Sequence, residues 1–192
     1  MTDRTAFEEL YAANPDPWRF ATSRYEREKY RATLAVLGAR RFHAGLEVGC
    51  SVGLMTRMLA RRCARLLAVD IAEAALALAR PRCRDLPQVR FLRAAVPDEW
   101  PAGTFDLIVL SEVLYFLSAT EIAGVVRRVR GALRPGGRLV LVDWTGPTDT
   151  ALGGREAARL LKARMGGLVR HVALRERPGY RLEMLRRRAP GR

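Results

Sequence analysis

Lysine is nearly missing from this chain: Lys29 and Lys162 are the only two, so arginine supplies the rest of the 34 basic residues and of a formal net charge of +14. Such a balance would suit a phosphate binder if the basic residues were clustered. From residue 150 onward, twelve basic residues face three acidic ones. They are interleaved with apolar residues in LVRHVALRER and YRLEMLRRR, as in edge strands with one solvated side. The excess therefore reads as a solvated face, and a nucleic-acid partner is not expected. Cysteine and histidine are also scarce. Cys50, Cys63 and Cys83 are odd in number and form no C-x-x-C pair, and His43 and His171 are the only histidines. This argues against a disulfide framework and against a zinc site. No apolar run approaches the roughly 20 residues that span a bilayer. The stretch MTDRTAFEEL carries charges where a signal peptide has its apolar core, so a cytoplasmic protein without a membrane partner is expected.

What is present is a regular alternation. With 192 residues, 49% hydrophobic and 28% charged, the chain suits one domain with a sizeable core and a short appendage. After residue 44, strand-like runs at 45–49, 65–70, 89–94, 105–111 and 138–144 alternate with helical stretches near 53–63, 72–84 and 118–132. Such alternation builds a parallel sheet covered by helices on both faces, and the run LIVL fits a central strand. The C-terminal pattern changes: two strand-like segments flank Pro178-Gly179, which reads as an antiparallel hairpin. Residues 1–44 are mostly helical, with a break at Asn14-Pro15-Asp16-Pro17.

The stretch LEVGCSVGL (46–54) is chemically ambiguous. Gly49-Cys50-Ser51-Val52-Gly53 spells the G-x-S-x-G of a hydrolase elbow, and Ser51, Asp143 and His171 follow in α/β-hydrolase order. But the turn follows the first strand, no HGGG-type loop precedes it, and His171 lies within a strand. A dinucleotide fingerprint would need glycine at 49, 51 and 54; the chain has Gly49, Ser51 and Leu54, and those glycines serve the approach of a pyrophosphate. A nucleoside ligand without phosphates relaxes that demand. Asp70, 23 residues after Glu47, stands where a carboxylate accepts from both ribose hydroxyls or caps the following helix.

Glu47-Val48-Gly49-Cys50-Ser51-Val52-Gly53 resembles motif I of class I S-adenosylmethionine-dependent methyltransferases, E/D-x-G-x-G-x-G, with serine at the middle glycine. Thr104–Val109 and Leu133-Arg134-Pro135-Gly136-Gly137 resemble the fourth-strand motif and the turn before strand five. The segment 10–30 (LYAANPDPWRFATSRYEREKY), with EVGC, SEVLYFL and DWTGPTD downstream, is similar to the nodulation protein S family over nearly the whole chain. Asp143-Trp144 departs from the His-Trp expected of close members. The resemblance implies a Rossmann-like α/β fold: a seven-stranded, mostly parallel sheet with an antiparallel C-terminal hairpin. It divides the chain into a helical lid over residues 1–44 and a methyltransferase domain over 45–192.

It further implies S-adenosylmethionine as methyl donor, S-adenosylhomocysteine as product, no metal, and N-methylation of a small acceptor such as an amino sugar or oligosaccharide. O-methylation of a metabolite, a non-catalytic protein of the same fold, and an RNA methyltransferase are the alternatives. Cofactor contacts are implied at Glu47, Gly49, Cys50, Ser51, Gly53, Asp70, Ile71, Ala95, Val96, Ser111 and Glu112. Trp18, Tyr25 and Lys29 join them from the lid, with Lys29 or Arg27 supplying charge for the cofactor carboxylate. Methyl transfer is an in-line displacement that asks mainly for alignment and exclusion of water. An amine acceptor must also lose a proton. Glu112, at the carboxyl edge of the sheet, is the expected acid/base or acceptor clamp, with Tyr115 three residues on. Asp143 is the second carboxylate candidate, and Trp144 a platform for a sugar or a core contact.

Overall fold

The computed structural model describes residues 4–189. Seven strands, β1 (Phe42–Val48), β2 (Cys63–Asp70), β3 (Val89–Arg93), β4 (Phe105–Ser111), β5 (Leu133–Trp144), β6 (Val169–Arg177) and β7 (Tyr180–Arg187), form one sheet in the order β3-β2-β1-β4-β5-β7-β6. Strands β1 to β5 pair in parallel and β7 is antiparallel to both β5 and β6. The chain order reverses between β1 and β4, and ligands of open α/β sheets bind at that switch, beyond the carboxyl ends of the strands.

Six helices accompany the sheet: α1 (Arg4–Ala13), α2 (Arg24–Leu37), α3 (Leu54–Leu59), α4 (Glu73–Arg82), α5 (Ala119–Ala132) and α6 (Gly154–Met165). The LIVL run behaves as its composition dictates. Ile108 and Leu110 enter the core on the face that also holds Ile122, Val125 and Leu161, while Leu107 and Val109 enter the opposite core with Tyr30, Leu37 and Leu59. Helix α5 starts in a reciprocal cap, the Glu121 amide donating to Ser118 Oγ and the Ser118 amide to the Glu121 carboxylate. Helix α2 starts at Ser23, whose hydroxyl accepts from the Glu26 amide.

Three expectations need correction. Helix α6 was absent from the sequence reading, although Ala157, Ala158, Leu161 and Met165 give it a buried stripe. The basic surplus in this stretch masked that stripe. Strand β7 is an interior strand: its residues 182–185 are all buried between β5 and β6, and of the two hairpin strands β6 alone is an exposed edge. The first strand begins at Phe42 rather than Gly45, so the boundary at residue 44 falls inside it.

Helix α1 is tied to the sheet domain through helix α4. Ala72, the residue before α4, offers no side-chain cap. The Glu8 carboxylate takes that place, accepting from the amides of Glu73 and Ala74 at 2.7 and 2.9 Å. A carboxylate there satisfies orphan donors and complements the positive end of the helix.

Candidate active site

A cavity of about 610 Å³ opens at the carboxyl edge of β1, β2 and β4, roofed by α1, the 14–20 turn and α2. Its floor is the turn after β1. Gly49 has φ of +83°, and a Cβ there would lie 2.3 Å from the Ser111 carbonyl oxygen, so glycine is required by both conformation and space. The amides of Gly49 and Cys50 both donate to the Val69 carbonyl, at 2.9 and 3.0 Å. Ser51 is left-handed as well, with φ of +49°; its amide donates to Asp70 Oδ2 at 2.7 Å, while Asp70 Oδ1 accepts from the Ala72 amide at 3.1 Å. Asp70 thus braces the turn. Burial raises its pKa, and these amides pull the other way.

The Ser51 hydroxyl lies 2.6 Å from Tyr11 Oη. His171 sits in β6 with Nε2 3.5 Å from Glu183 Oε1, and Asp143 is fully buried without a hydrogen-bond partner. No hydrolase triad is assembled.

Glu47 lies at the end of the floor and is fully buried; the Thr56 hydroxyl beside it lowers its pKa, but no group meets either carboxylate oxygen at ordinary hydrogen-bond geometry. Burial pushes its pKa up to about 8. An unpaired buried carboxyl is costly, yet this one lines the cavity, where a cationic ligand group would satisfy it.

The opposite wall is a hydrogen-bonded cluster. Glu112 follows β4 with φ of +55°. Its Oε1 accepts from Lys29 Nζ at 2.6 Å, and its Oε2 accepts from the Tyr115 hydroxyl at 3.0 Å and the Trp144 amide at 2.7 Å. Tyr115 reaches it through the single helical turn Leu114–Phe116. Lys29, only 2% exposed, also donates to Glu26 Oε1 at 2.9 Å and sits 5.5 Å from the centre of the Tyr25 ring. Tyr25 packs edge-on against Trp144 and Tyr180. At the mouth, Trp18 stacks on Phe20 and meets Tyr11 edge-on, both with ring centres 5.5 Å apart.

Trp18, Tyr25, Lys29, Glu47, Gly49, Cys50, Ser51, Asp70, Ile71, Val96, Ser111, Glu112, Tyr115 and Trp144 all line this one cavity. Four sequence candidates do not. Asp143 is fully buried behind the lining, its Cβ close to Gly154 at the start of α6, and burial holds its carboxyl well above the usual range. Ala95 lies behind the wall, its amide donating to Glu99, while Ala94 takes the lining position. Gly53 supports the floor from outside, where a Cβ would come within 2.9 Å of the Ala79 Cβ. Arg27 is exposed and donates to the Thr22 carbonyl. Tyr30, expected to face inward with Tyr25 and Lys29 from their helical spacing, lines the cavity too. Sequence reasoning missed Phe7, Tyr11 and Glu26. The signal for Glu26 was available, since it shares a helical face with Lys29.

The family model for nodulation protein S matches residues 6–147. The chain belongs to the nodulation protein S family. Nodulation protein S of Sinorhizobium fredii is 34% identical over 130 residues, covering 67% of this chain and 60% of that protein. The Bradyrhizobium diazoefficiens protein of the same name is 34% identical over 129 residues, covering 65% and 61%. The chain thus spans about three-fifths of the length of these curated relatives. The crystal structure of the N-methyltransferase NodS from Bradyrhizobium japonicum, in complex with S-adenosylhomocysteine, matches with a TM-score of 0.83 and 26% identity, covering 96% of this chain and 98% of that one. The fold is therefore the class I methyltransferase fold.

Proposed function

We propose that this protein is an S-adenosylmethionine-dependent N-methyltransferase acting on a small amine acceptor, an amino sugar or an oligosaccharide carrying a free amine. The observation that carries the reading is the buried carboxylate of Glu47, which has no counter-ion and only the Thr56 hydroxyl beside it, lining the cavity at the strand-order switch. S-adenosylmethionine has an α-ammonium group, and Glu47 fits that group by charge and by its unfilled acceptor positions. Asp70, at the end of β2, fits the ribose hydroxyls while it braces the turn. Ile71, Ala94 and Val96 give the adenine an apolar wall.

When bound, the cofactor supplies a methyl group on a sulfonium. The chain's own residues then have three tasks: to align the acceptor, exclude water and hold its proton. Helices α1 and α2 and the turn between them supply the lid in this scheme, with the Trp18 cluster at the mouth and α2 as the acceptor wall. Trp144, fixed by its indole N–H donating to the Pro147 carbonyl and by Tyr25, is a platform for a sugar face. The three free cysteines are all buried and suit a reducing, cytoplasmic setting. Among the described residues no helix is long and apolar enough to cross a membrane.

Calorimetric titration tests the cofactor assignment. One site is expected for S-adenosylmethionine and one, competitive with it, for S-adenosylhomocysteine. Absence of binding by the folded protein removes the reading.

A further inference from the structure

Two carboxylates in the acceptor wall share one ammonium, and they share it unequally. Glu112 is filled: Lys29 holds one oxygen, and the Tyr115 hydroxyl and Trp144 amide hold the other. All three are donors, so together they fill the Glu112 carboxylate and hold it in place. Glu26 is different. Its Oε1 accepts from Lys29 at 2.9 Å. Its Oε2 is buried with no partner at ordinary hydrogen-bond geometry, in a side chain that has the Tyr30 hydroxyl beside it, lines the cavity and is only 9% exposed. The Tyr25 hydroxyl, on the same wall, is also buried and unpartnered. With Glu26 and Glu112 ionised, one Lys29 leaves this wall one positive charge short, and a cationic acceptor group at Glu26 would restore the balance.

We propose that Glu26 is the catalytic residue that takes the proton from the acceptor amine, while Glu112 is a positioning residue that fixes Lys29, Tyr115 and the end of β5. The assignment rests on the N-methyltransferase reading above. The acceptor ammonium donates one proton to Glu26 Oε2 and becomes a neutral amine. Its lone pair forms the new N–C bond as the C–S bond breaks, and the electron pair of that bond goes to sulfur. The sulfonium becomes a thioether, the product is a secondary ammonium, and the Glu26 proton passes to water when product leaves.

The groups facing Glu26 agree with this task. Burial raises its proton affinity and the Glu112 charge adds to that, while the Lys29 ammonium and the hydrogen-bonding Tyr30 hydroxyl lower it. Tyr25 and Tyr115 feel its charge and stay protonated, their own pKa values being raised chiefly by burial. Asp143, behind the wall, faces Glu112 and Lys29.

Glu26→Gln keeps the volume and an oxygen for Lys29 but cannot take the proton. The experiment compares kcat/KM against pH for the full chain, with S-adenosylmethionine and glucosamine or chitosan oligomers, alongside calorimetric affinity for S-adenosylhomocysteine. Glu26→Gln is expected to lose about 100-fold at neutral pH and to regain about tenfold per pH unit as the free amine itself deprotonates, with cofactor affinity within about threefold of wild type. Glu26→Asp, which keeps the acid, is expected to show the wild-type profile at a reduced rate. A Glu26→Gln profile equal to wild type, or a Glu26→Asp profile with the lost shape of the amide variant, overturns the role of Glu26 and leaves the methyltransferase standing. Failure of the wild type to methylate any amine while it still binds cofactor overturns both.

Discussion

At the scale of single residues, the site places side chains in unfavourable states and leaves a ligand to relieve them. Glu47 shows this most clearly. Its folded pKa of about 8 lies above the usual 4.5, so at intermediate pH the native state holds a proton that the unfolded chain has released, and stability falls as pH rises through this window. The ligand-free protein is therefore expected to lose stability, on the order of 4 kcal/mol, between about pH 5 and pH 8. Denaturant titrations at several pH values measure it. Glu47→Gln should flatten that slope and at the same time weaken S-adenosylmethionine; a slope unchanged by the substitution would contradict the assignment. Asp70→Ala should raise the dissociation constant for S-adenosylhomocysteine about 10- to 100-fold, through lost charge-assisted hydrogen bonds worth about 1.5–3 kcal/mol. Calorimetry on a folded variant with unchanged affinity would take Asp70 out of the ribose site. The place of Glu47 and Gly49 at the cavity was legible through the resemblance to motif I, and that of Asp70 through its position at the end of the second strand, because strand ends and turn sterics are local properties. The satisfied state of Glu112 was not, since its partners come from residues 29, 115 and 144.

At the scale of elements, α2 joins lid to sheet through one buried lysine. The resemblance gives Lys29 or Arg27 as the charge for the cofactor carboxylate. Its position between Glu26 and Glu112 at 2% exposure changes that expectation. Lys29→Met leaves two buried carboxylates without a counter-ion, and breaking a buried pair in this way costs about 3–5 kcal/mol. Urea unfolding should show this loss, and adding Glu26→Gln should return part of it. A loss below about 1 kcal/mol would mean that the ion pairs do not persist in solution. Helix α6 shows why some elements escape a reading of sequence. Its apolar residues at 157, 158, 161 and 165 have helical spacing, but they are small or isolated among arginines, and only the packing of Gly154 against the Trp144 carbonyl shows where the helix starts.

At the scale of the whole molecule, the parallel half of the sheet was legible because its strands are nearly continuous apolar runs. The place of β7 was not, because Arg181, Glu183 and Arg186 suggest a solvated strand. In the fold Glu183 is buried and paired with Lys162 and Arg181. Several arginines of the C-terminal third are thus spent on ion pairs within the molecule, at Arg155, Arg181 and Lys162 beside them, which weakens the basic composition as an argument for nucleic acid. The fold, the cavity at the strand-order switch and the buried carboxylates lining it support the proposed methyl transfer to nitrogen. The most direct measurement is incubation of the protein with methyl-labelled S-adenosylmethionine and a panel of amino sugars, chitosan oligomers and their N-acetylated and hydroxyl counterparts, with product mass and fragmentation read by mass spectrometry. The account predicts label on the amine nitrogen of a deacetylated sugar and none on the N-acetylated counterparts. Label on oxygen alone, or no label on any acceptor by a protein that binds the cofactor, would contradict it.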